Sequence, residues 1–434
     1  MNIWYKMDTV GTLYAPTATA RWSGVFGLSV IFRSPISVPQ IQDALDSTLK
    51  DFRCMDVVLK KGIFWHYLEQ SIQNLKVEPE SDYPCRPFDV LHDTHLMRVI
   101  YSTHRLSVEF FHGVTDGGGG WIFVKALVQN YLSLMGVKFC DKKTLVLDDN
   151  TFISNNKISV SDNNTLSYSK AMPLDMNAYN LVSDKHSGLQ SFRTPRAYRV
   201  DLPIIKTSEY YLTHFELEYS QLKALSRLHD ASIGELLTTM LMTTLAIYKL
   251  HHPQDRKIVL NMSYDLRKRF KLQSLRNFFG YAMLQFDELD DDFFNNLKTV
   301  QSILNKIDDD YLIKGVNTNV KTKNKFISKI VPLAIKRPLI NFGYRLYGER
   351  LATISFSNYG KMQLPEKCKS HIDRLESCCG VAKSGRLIEV SAITYNNKTV
   401  LTLCIKSKST EIEKILCKVL ESLNLSVTVD SNRE

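Results

Sequence analysis

The sequence predicts an α/β protein of two subdomains, and three observations carry that reading. At 434 residues the chain exceeds what one ordinary hydrophobic core accommodates. A strand followed by a capped helix recurs in both halves. Between them lies a segment of different texture, rich in Asn, Ser, Asp and Lys. We therefore divide the chain at 1–140, 141–207 and 208–434: an N-terminal subdomain, a loosely structured crossover and a C-terminal subdomain.

Taken in order, residues 1–20 read as irregular. Gly24 to Arg33 reads as a strand. Ser37 with Gln40 three residues on has the spacing of a capping box, and Val38, Ile41, Leu45 and Leu49 form one helical face behind it. Met55 to Leu59 and Ile63 to Leu68 predict a hairpin around Lys60, Lys61 and Gly62, and His95 to Ser102 another strand. From Arg105 to Phe111 apolar residues alternate, the period-two pattern of a strand. Four glycines, Gly117 to Gly120, then exclude a strand or helix interior. From Trp121, Phe123, Leu127 and Tyr131 recur every four residues on a helical face.

After the crossover, Tyr211 to Glu218 reads as a strand and Ser220 as the start of a short helix. Ser232 and Glu235 form a second capping box, opening a helix that is apolar nearly all round to about Leu250, hence buried. Lys257 to Ser263, Ala352 to Phe356, Arg386 to Thr394 and Thr399 to Cys404 read as strands. Asp291 to Lys306, Asn324 to Tyr347 and Thr410 to Leu423 read as helices.

Composition narrows the function classes. Hydrophobic residues make up 44% and charged residues 23% of the chain, as in globular proteins. The longest uncharged apolar stretch, Leu236 to Tyr248, is short of a membrane span. The eight cysteines show neither CxxC pairs nor zinc spacing and read as reduced and mostly buried. With no secretory signal in the opening residues, the expected location is cytoplasmic. The formal charge of +10 suits a nucleotide-bearing cofactor, an acidic carrier, nucleic acid or a membrane surface, or simply a solvated basic surface. Nucleic acid is set aside for want of basic–aromatic interleaving. The run Lys314 to Gly348 contains eight Lys or Arg and no acidic residue. It fits CoA phosphates, an acidic acyl carrier, peripheral membrane contact or a solvated amphipathic helix. His92 and His95 have a metal-like spacing without a third ligand, so no metal is expected. His251 and His252 at a helix end suit the dipole there. No P-loop, dinucleotide fingerprint or nucleophile elbow is present.

At the hinge between strand and glycines stand His112, Asp116 and Gly117, spelling HxxxDG. An imidazole with an ordinary pKa near 6.5 can take a proton from an alcohol or amine at physiological pH. The glycine leaves room for a substrate. Asp116 could face that ring or pair with a cation that fixes the loop.

These residues resemble the signature of the CoA-dependent acyltransferase superfamily, which includes chloramphenicol acetyltransferases, plant BAHD acyltransferases, alcohol acetyltransferases and peptide-synthetase condensation domains. YDLRKRF with RNFFG (264 to 280) and SFSNYGKMQLPE (355 to 366) look similar to its alcohol-acetyltransferase-like members. The position before the motif is Phe111 where condensation domains usually have a second His, and the BAHD DFGWG motif is absent.

The resemblance implies two chloramphenicol acetyltransferase-like subdomains, each a mixed sheet flanked by helices, with a tunnel between them. It implies His112 as general base for direct transfer from acyl-CoA, or from a carrier-bound thioester, to an alcohol or amine. No cofactor stays bound, and the protein is expected to be a monomer. Asp116 would be structural, paired with Arg267 or, in reserve, Arg276. Ser357 and Asn358 would support the oxyanion. The alternatives are a carrier-dependent condensation enzyme and a non-catalytic binding protein on the same fold.

Overall fold

The protein is seen here as a computed structural model, which describes residues 3–18, 23–80, 83–90, 92–139, 145–148, 151–154, 157–161, 168–173, 175–183, 188–189, 196–207, 209–272, 274–324, 330–343, 351–381 and 386–433. Cys140 and parts of the Asn324 to Tyr347 run (325–329 and 344–347) lie outside them.

The N-terminal half is built on a mixed five-stranded sheet in the order β16-β2-β7-β6-β5. Its strands are β2 (Val25–Phe32), β5 (Val77–Pro79), β6 (Met97–Tyr101), β7 (Arg105–Phe111) and β16 (Ile372–Cys379). Helices α2 (Val38–Asp51) and α3 (Gly117–Leu134) pack apolar faces on it, and Leu28, Val108, Phe110, Phe123 and Leu127 sit in that core. A three-stranded sheet, β1-β4-β3, stands beside it, from β1 (Trp4–Tyr5), β3 (Val57–Lys61) and β4 (His66–Gln70).

The C-terminal half carries a mixed seven-stranded sheet, β14-β13-β15-β17-β18-β12-β19. The strands are β12 (Tyr211–Glu218), β13 (Ile258–Asp265), β14 (Phe279–Phe286), β15 (Ile354–Lys361), β17 (Ile388–Tyr395), β18 (Lys398–Ile405) and β19 (Val427–Ser431). Helix α6 (Ile233–His251) is mostly buried between its neighbours, α5 (Tyr219–Leu228), α8 (Phe293–Leu304) and α11 (Glu411–Ser422). By length and composition it could cross a membrane, but it forms the second core instead. The capping box expected at Ser232 and Glu235 is present, with both reciprocal bonds.

Several expectations are corrected. The stretch read as irregular, residues 1–20, holds two elements among its described residues: α1 (Gly11–Thr17) follows β1, entered from Asp8, whose Oδ1 accepts the N–H groups of Val10 and Gly11 at 2.9 and 2.7 Å. Ser37 begins α2 without a side-chain cap; its own N–H donates to the Tyr131 hydroxyl, and Pro39 lies in the first turn. Ile63 to Trp65 form the hairpin tip rather than the strand. The crossover contains a four-stranded sheet, β8 (Leu145–Asp148), β9 (Thr151–Ser154), β10 (Lys157–Ser161) and β11 (Tyr168–Pro173), and a short α4 (Tyr179–Val182). Polar composition concealed these edges, because antiparallel hairpins need little apolar sequence.

The described residues of the basic run fall mainly on α9 (Asp309–Asn324) and α10 (Leu333–Gly343). His252 Nε2 lies within hydrogen-bond distance of Glu411 Oε1, at 3.0 Å. Finally, β16 pairs antiparallel with β2, so the C-terminal half of the sequence completes the N-terminal sheet. The halves are therefore stitched together rather than merely adjacent.

Candidate functional site

Strand β7 sits between β2 and β6, and its last residue, Phe111, pairs with Val25 at the end of β2. His112 is the first residue beyond this register, and its N–H donates to the Gly24 carbonyl at 2.7 Å. A rigid, doubly paired strand thus fixes the backbone of the imidazole. The four glycines do not form an open turn. They are the first turn of α3, with Asp116 as N-cap accepting the Gly119 N–H at 2.9 Å. None needs a left-handed backbone; at Gly117, Gly118 and Gly119 a side chain would run into what lies against it. A Cβ on Gly118 would meet Arg267 Nη1 at 2.6 Å, and one on Gly119 the Leu275 carbonyl oxygen at 2.3 Å. Periodicity missed this turn because it has no side chains to show a face.

Asp116 is saturated. Its Oδ1 lies 2.8 Å from Arg267 Nη2, and its Oδ2 accepts from Arg267 Nη1 at 3.1 Å and from the Phe278 N–H at 2.6 Å. Arg267 enters from the short helix α7 (Leu266–Phe270), whose N-cap, Asp265, also takes Nη1 at 3.0 Å. Its Nε and Nη2 donate to the carbonyls of Ser274 and Arg276 at 2.9 and 2.8 Å. Burial opposes the charge on Arg267, but Asp116 and Asp265 outweigh it and hold the pKa above the ordinary value. Of the two arginines considered, Arg267 is the one on Asp116. Arg276 instead donates to the Val114 carbonyl at 3.2 Å.

His112 is treated differently. Its Nδ1 lies 3.0 Å from Asn277 Oδ1. The orientation of that amide follows from its other end: Nδ2 donates to Asp8 Oδ2 at 2.8 Å and to the His112 carbonyl at 3.0 Å. The oxygen therefore faces the ring, and an acceptor there requires Nδ1 to carry the proton. Nε2 is left with its lone pair and no partner among the described residues. Tyr14 stacks on the ring at 4.4 Å, with Phe26 and Phe279 at 5.1 and 5.4 Å between centroids. Burial lowers the His112 pKa, opposed by the field of Asp116 and the Asn277 bond. The ring is enclosed by protein, while the residue as a whole is half-buried. A neutral imidazole with one free nitrogen can accept a proton.

Asp8, Asn277, Tyr14 and Phe279 were not singled out by the sequence. Asn277 and Phe279 lie inside the RNFFG segment, and Asp8 carries a visible signal, a carboxylate three residues ahead of a helix start. Ser357 and Asn358 lie on β15, where Ser357 pairs in register with Ser263 and Ser391. Asn358 Oδ1 accepts from the Gly360 N–H at 2.9 Å. The residue of that strand pressed on the motif is Tyr359: a Cβ on Gly117 would meet its Cε1 at 2.3 Å. His92 and His95 pair with Asp89 and Asp56 at 2.6 and 3.0 Å. Among the described residues no group of three His, Cys, Asp or Glu could hold a metal ion.

The sequence matches no protein-family model and no curated protein. Its structure, however, is similar over nearly its whole length to solved proteins. Polyketide synthase associated protein 5 from Mycobacterium tuberculosis aligns with a TM-score of 0.58 at 12% identity, covering 97% of this chain and 100% of that one. The first condensation domain of the CDA synthetase aligns with a TM-score of 0.58 at 10% identity, covering 97% and 96%. F. graminearum TRI101, complexed with coenzyme A and T-2 mycotoxin, aligns with a TM-score of 0.55 at 11% identity, covering 98% and 99%. The chain has the fold these proteins share, which is that of condensation domains. The two mixed sheets expected from the sequence are those of this fold.

Proposed function

We propose that the protein is an acyltransferase that moves an acyl group from a thioester, most simply acyl-CoA, to an alcohol or amine. The fold alone hosts more than one chemistry, so the reading rests on the site. The observation that carries it is His112, with Nδ1 held by Asn277 and Nε2 free in an aromatic-lined setting.

In this reading Nε2 takes the proton of the acceptor O–H or N–H as that atom attacks the thioester carbonyl. The resulting tetrahedral oxyanion collapses, the C–S bond breaks, and the departing thiolate takes the proton from the imidazolium. No acyl-enzyme forms. Asn277 and Asp8 are positioning residues that hold the tautomer. Asp116 and Arg267 keep the loop between α7 and β14 against the start of α3. Ser357 and Asn358 remain candidates for oxyanion support. The test is acyl transfer to a panel of alcohols and amines from acyl-CoA donors, with His112→Ala beside the wild type. Transfer by the wild type and its loss in His112→Ala is the expected result, and undiminished transfer in the variant overturns the assignment.

A second reading keeps the chemistry and changes the donor to an acyl carrier protein. The net charge of +10, which would attract an acidic carrier, favours it. Turnover only with carrier-bound thioester, and none with the CoA ester, separates it from the first.

A further inference from the structure

Helix α10 is amphipathic in the reverse sense. Ile335, Pro338, Leu339 and Phe342 recur at i, i+3, i+4 and i+7, the spacing of a face that normally packs on a core. Here that face is turned to solvent: Ile335, Leu339 and Phe342 are 56%, 64% and 63% exposed. The inward side carries Leu333 and Lys336, both buried, with Lys336 Nζ seated 3.4 Å above the Trp65 ring. The start of the helix is tied to the β3–β4 hairpin tip, where the Leu333 N–H donates to the Ile63 carbonyl at 2.8 Å. Ile63 itself is 75% exposed, and Phe64 beside it is also exposed. Tip and helix thus present large apolar side chains next to one another.

The charge around this surface is positive. Lys61 and Arg337 lie at this surface, with the buried Lys336 beneath, and their fields add to burial in holding His66 neutral. The nearby carboxylates Glu69 and Asp93 are taken up by Lys60. A second copy of the chain docked stripe to stripe would bring two such basic clusters together. A bilayer with anionic headgroups meets both demands, giving the apolar side chains a nonpolar layer and the cations a negative surface.

We propose that the outer face of α10 and the β3–β4 tip form a docking surface for an anionic lipid bilayer. α10 packs against α1, whose Tyr14 stacks on His112, so docking would bring the lipid phase beside the enclosed imidazole. That connection rests on the acyl-transfer reading; the docking does not, and its test needs no turnover.

The test is cosedimentation of the full chain with sucrose-loaded vesicles, either phosphatidylcholine alone or equimolar phosphatidylcholine and phosphatidylserine. The wild type is expected to pellet with the mixed vesicles and much less with phosphatidylcholine, and added salt should weaken the binding. The triple variant I335S/L339S/F342S should lose roughly tenfold or more of the partition while keeping its melting temperature, because the lost side chains are exposed. Leu228→Ser, on the exposed end of α5, should pellet as the wild type does. Should the triple variant fail to fold, Phe342→Trp gives the same information: the emission of the introduced indole should shift to the blue on addition of mixed vesicles. A wild type that stays in the supernatant, a folded triple variant that pellets undiminished, or an unshifted emission from Phe342→Trp each overturns the proposal. So does a solution dimer that the triple variant dissolves without any vesicle binding by the wild type.

Discussion

His112 and Asp116 stand four residues apart on one hinge, both enclosed by protein, and burial has opposite consequences for them. Both oxygens of Asp116 are engaged: Oδ1 by the Gly119 N–H and the ion-pair contact with Arg267 Nη2, Oδ2 by Arg267 Nη1 and the Phe278 N–H. His112 has only Nδ1 engaged. In a medium of low dielectric a saturated group becomes structure, because any departure leaves a charge unpaired. A group with one unsatisfied lone pair, held rigid from behind, keeps that lone pair for a substrate.

The largest expected effect separates the two directly. His112→Ala should reduce acyl transfer by about 10²- to 10⁴-fold, the range for a positioned general base, with little change in melting temperature. Asp116→Ala should instead cost about 3 kcal/mol of stability, because the buried Arg267 would lose its main counter-charge and keep only Asp265. Chemical denaturation of both variants, with activity assayed well below the transition, checks the pair. A destabilised His112→Ala, or an Asp116→Ala as stable as the wild type, would reverse the comparison.

How much of this was legible depends on where the partners lie in sequence. The strand before His112 and the helix after it announce themselves by period, and Arg267 could be matched to Asp116 through the YDLRKRF segment. Asp8 and Asn277 could not be matched to His112, because they meet it only through the fold, from 104 and 165 positions away. The glycine turn hides for a related reason: much of what crowds a Cβ there belongs to Arg267, Leu275 and Tyr359, in the other half. Strand β16 escaped notice since IDRLESCC mixes charge with apolar residues, and its buried Glu376 is neutralised by Arg374 and Arg105 from elsewhere in the structure. Local pattern shows elements; which element closes a sheet is decided by contacts no window of sequence contains.

A smaller effect tests the support behind the ring. Asn277→Ala removes the acceptor that holds the proton on Nδ1 and leaves Asp8 with one bond fewer. The expected loss in kcat is about ten- to a hundredfold, corresponding to roughly 1–3 kcal/mol for a buried hydrogen bond, with KM little changed. An equal fall in kcat and in thermal stability, with no change in the pH profile, would assign Asn277 to the scaffold instead.

The smallest effect is the dependence on pH, and its sign follows from the direction of the His112 shift. Burial lowers the folded-state pKa below the unfolded value near 6.5, against the smaller opposing influences of Asp116 and Asn277. Above about 6.5 the imidazole is neutral in both states and contributes no slope to stability. As pH falls below that point the unfolded chain binds the proton first, so stability is lost from about 6.5 down to the folded pKa and levels off beneath it. Activity follows the neutral base, so the acid limb of kcat/KM should lie below 6.5. In Asn277→Ala it should move further toward acid, because the lost bond is one that favours the protonated ring. A limb above 6.5 in the wild type would mean that the fields of Asp116 and Asp8 outweigh desolvation. His112 and Asp116 would then act as one charged unit rather than as a base beside a brace.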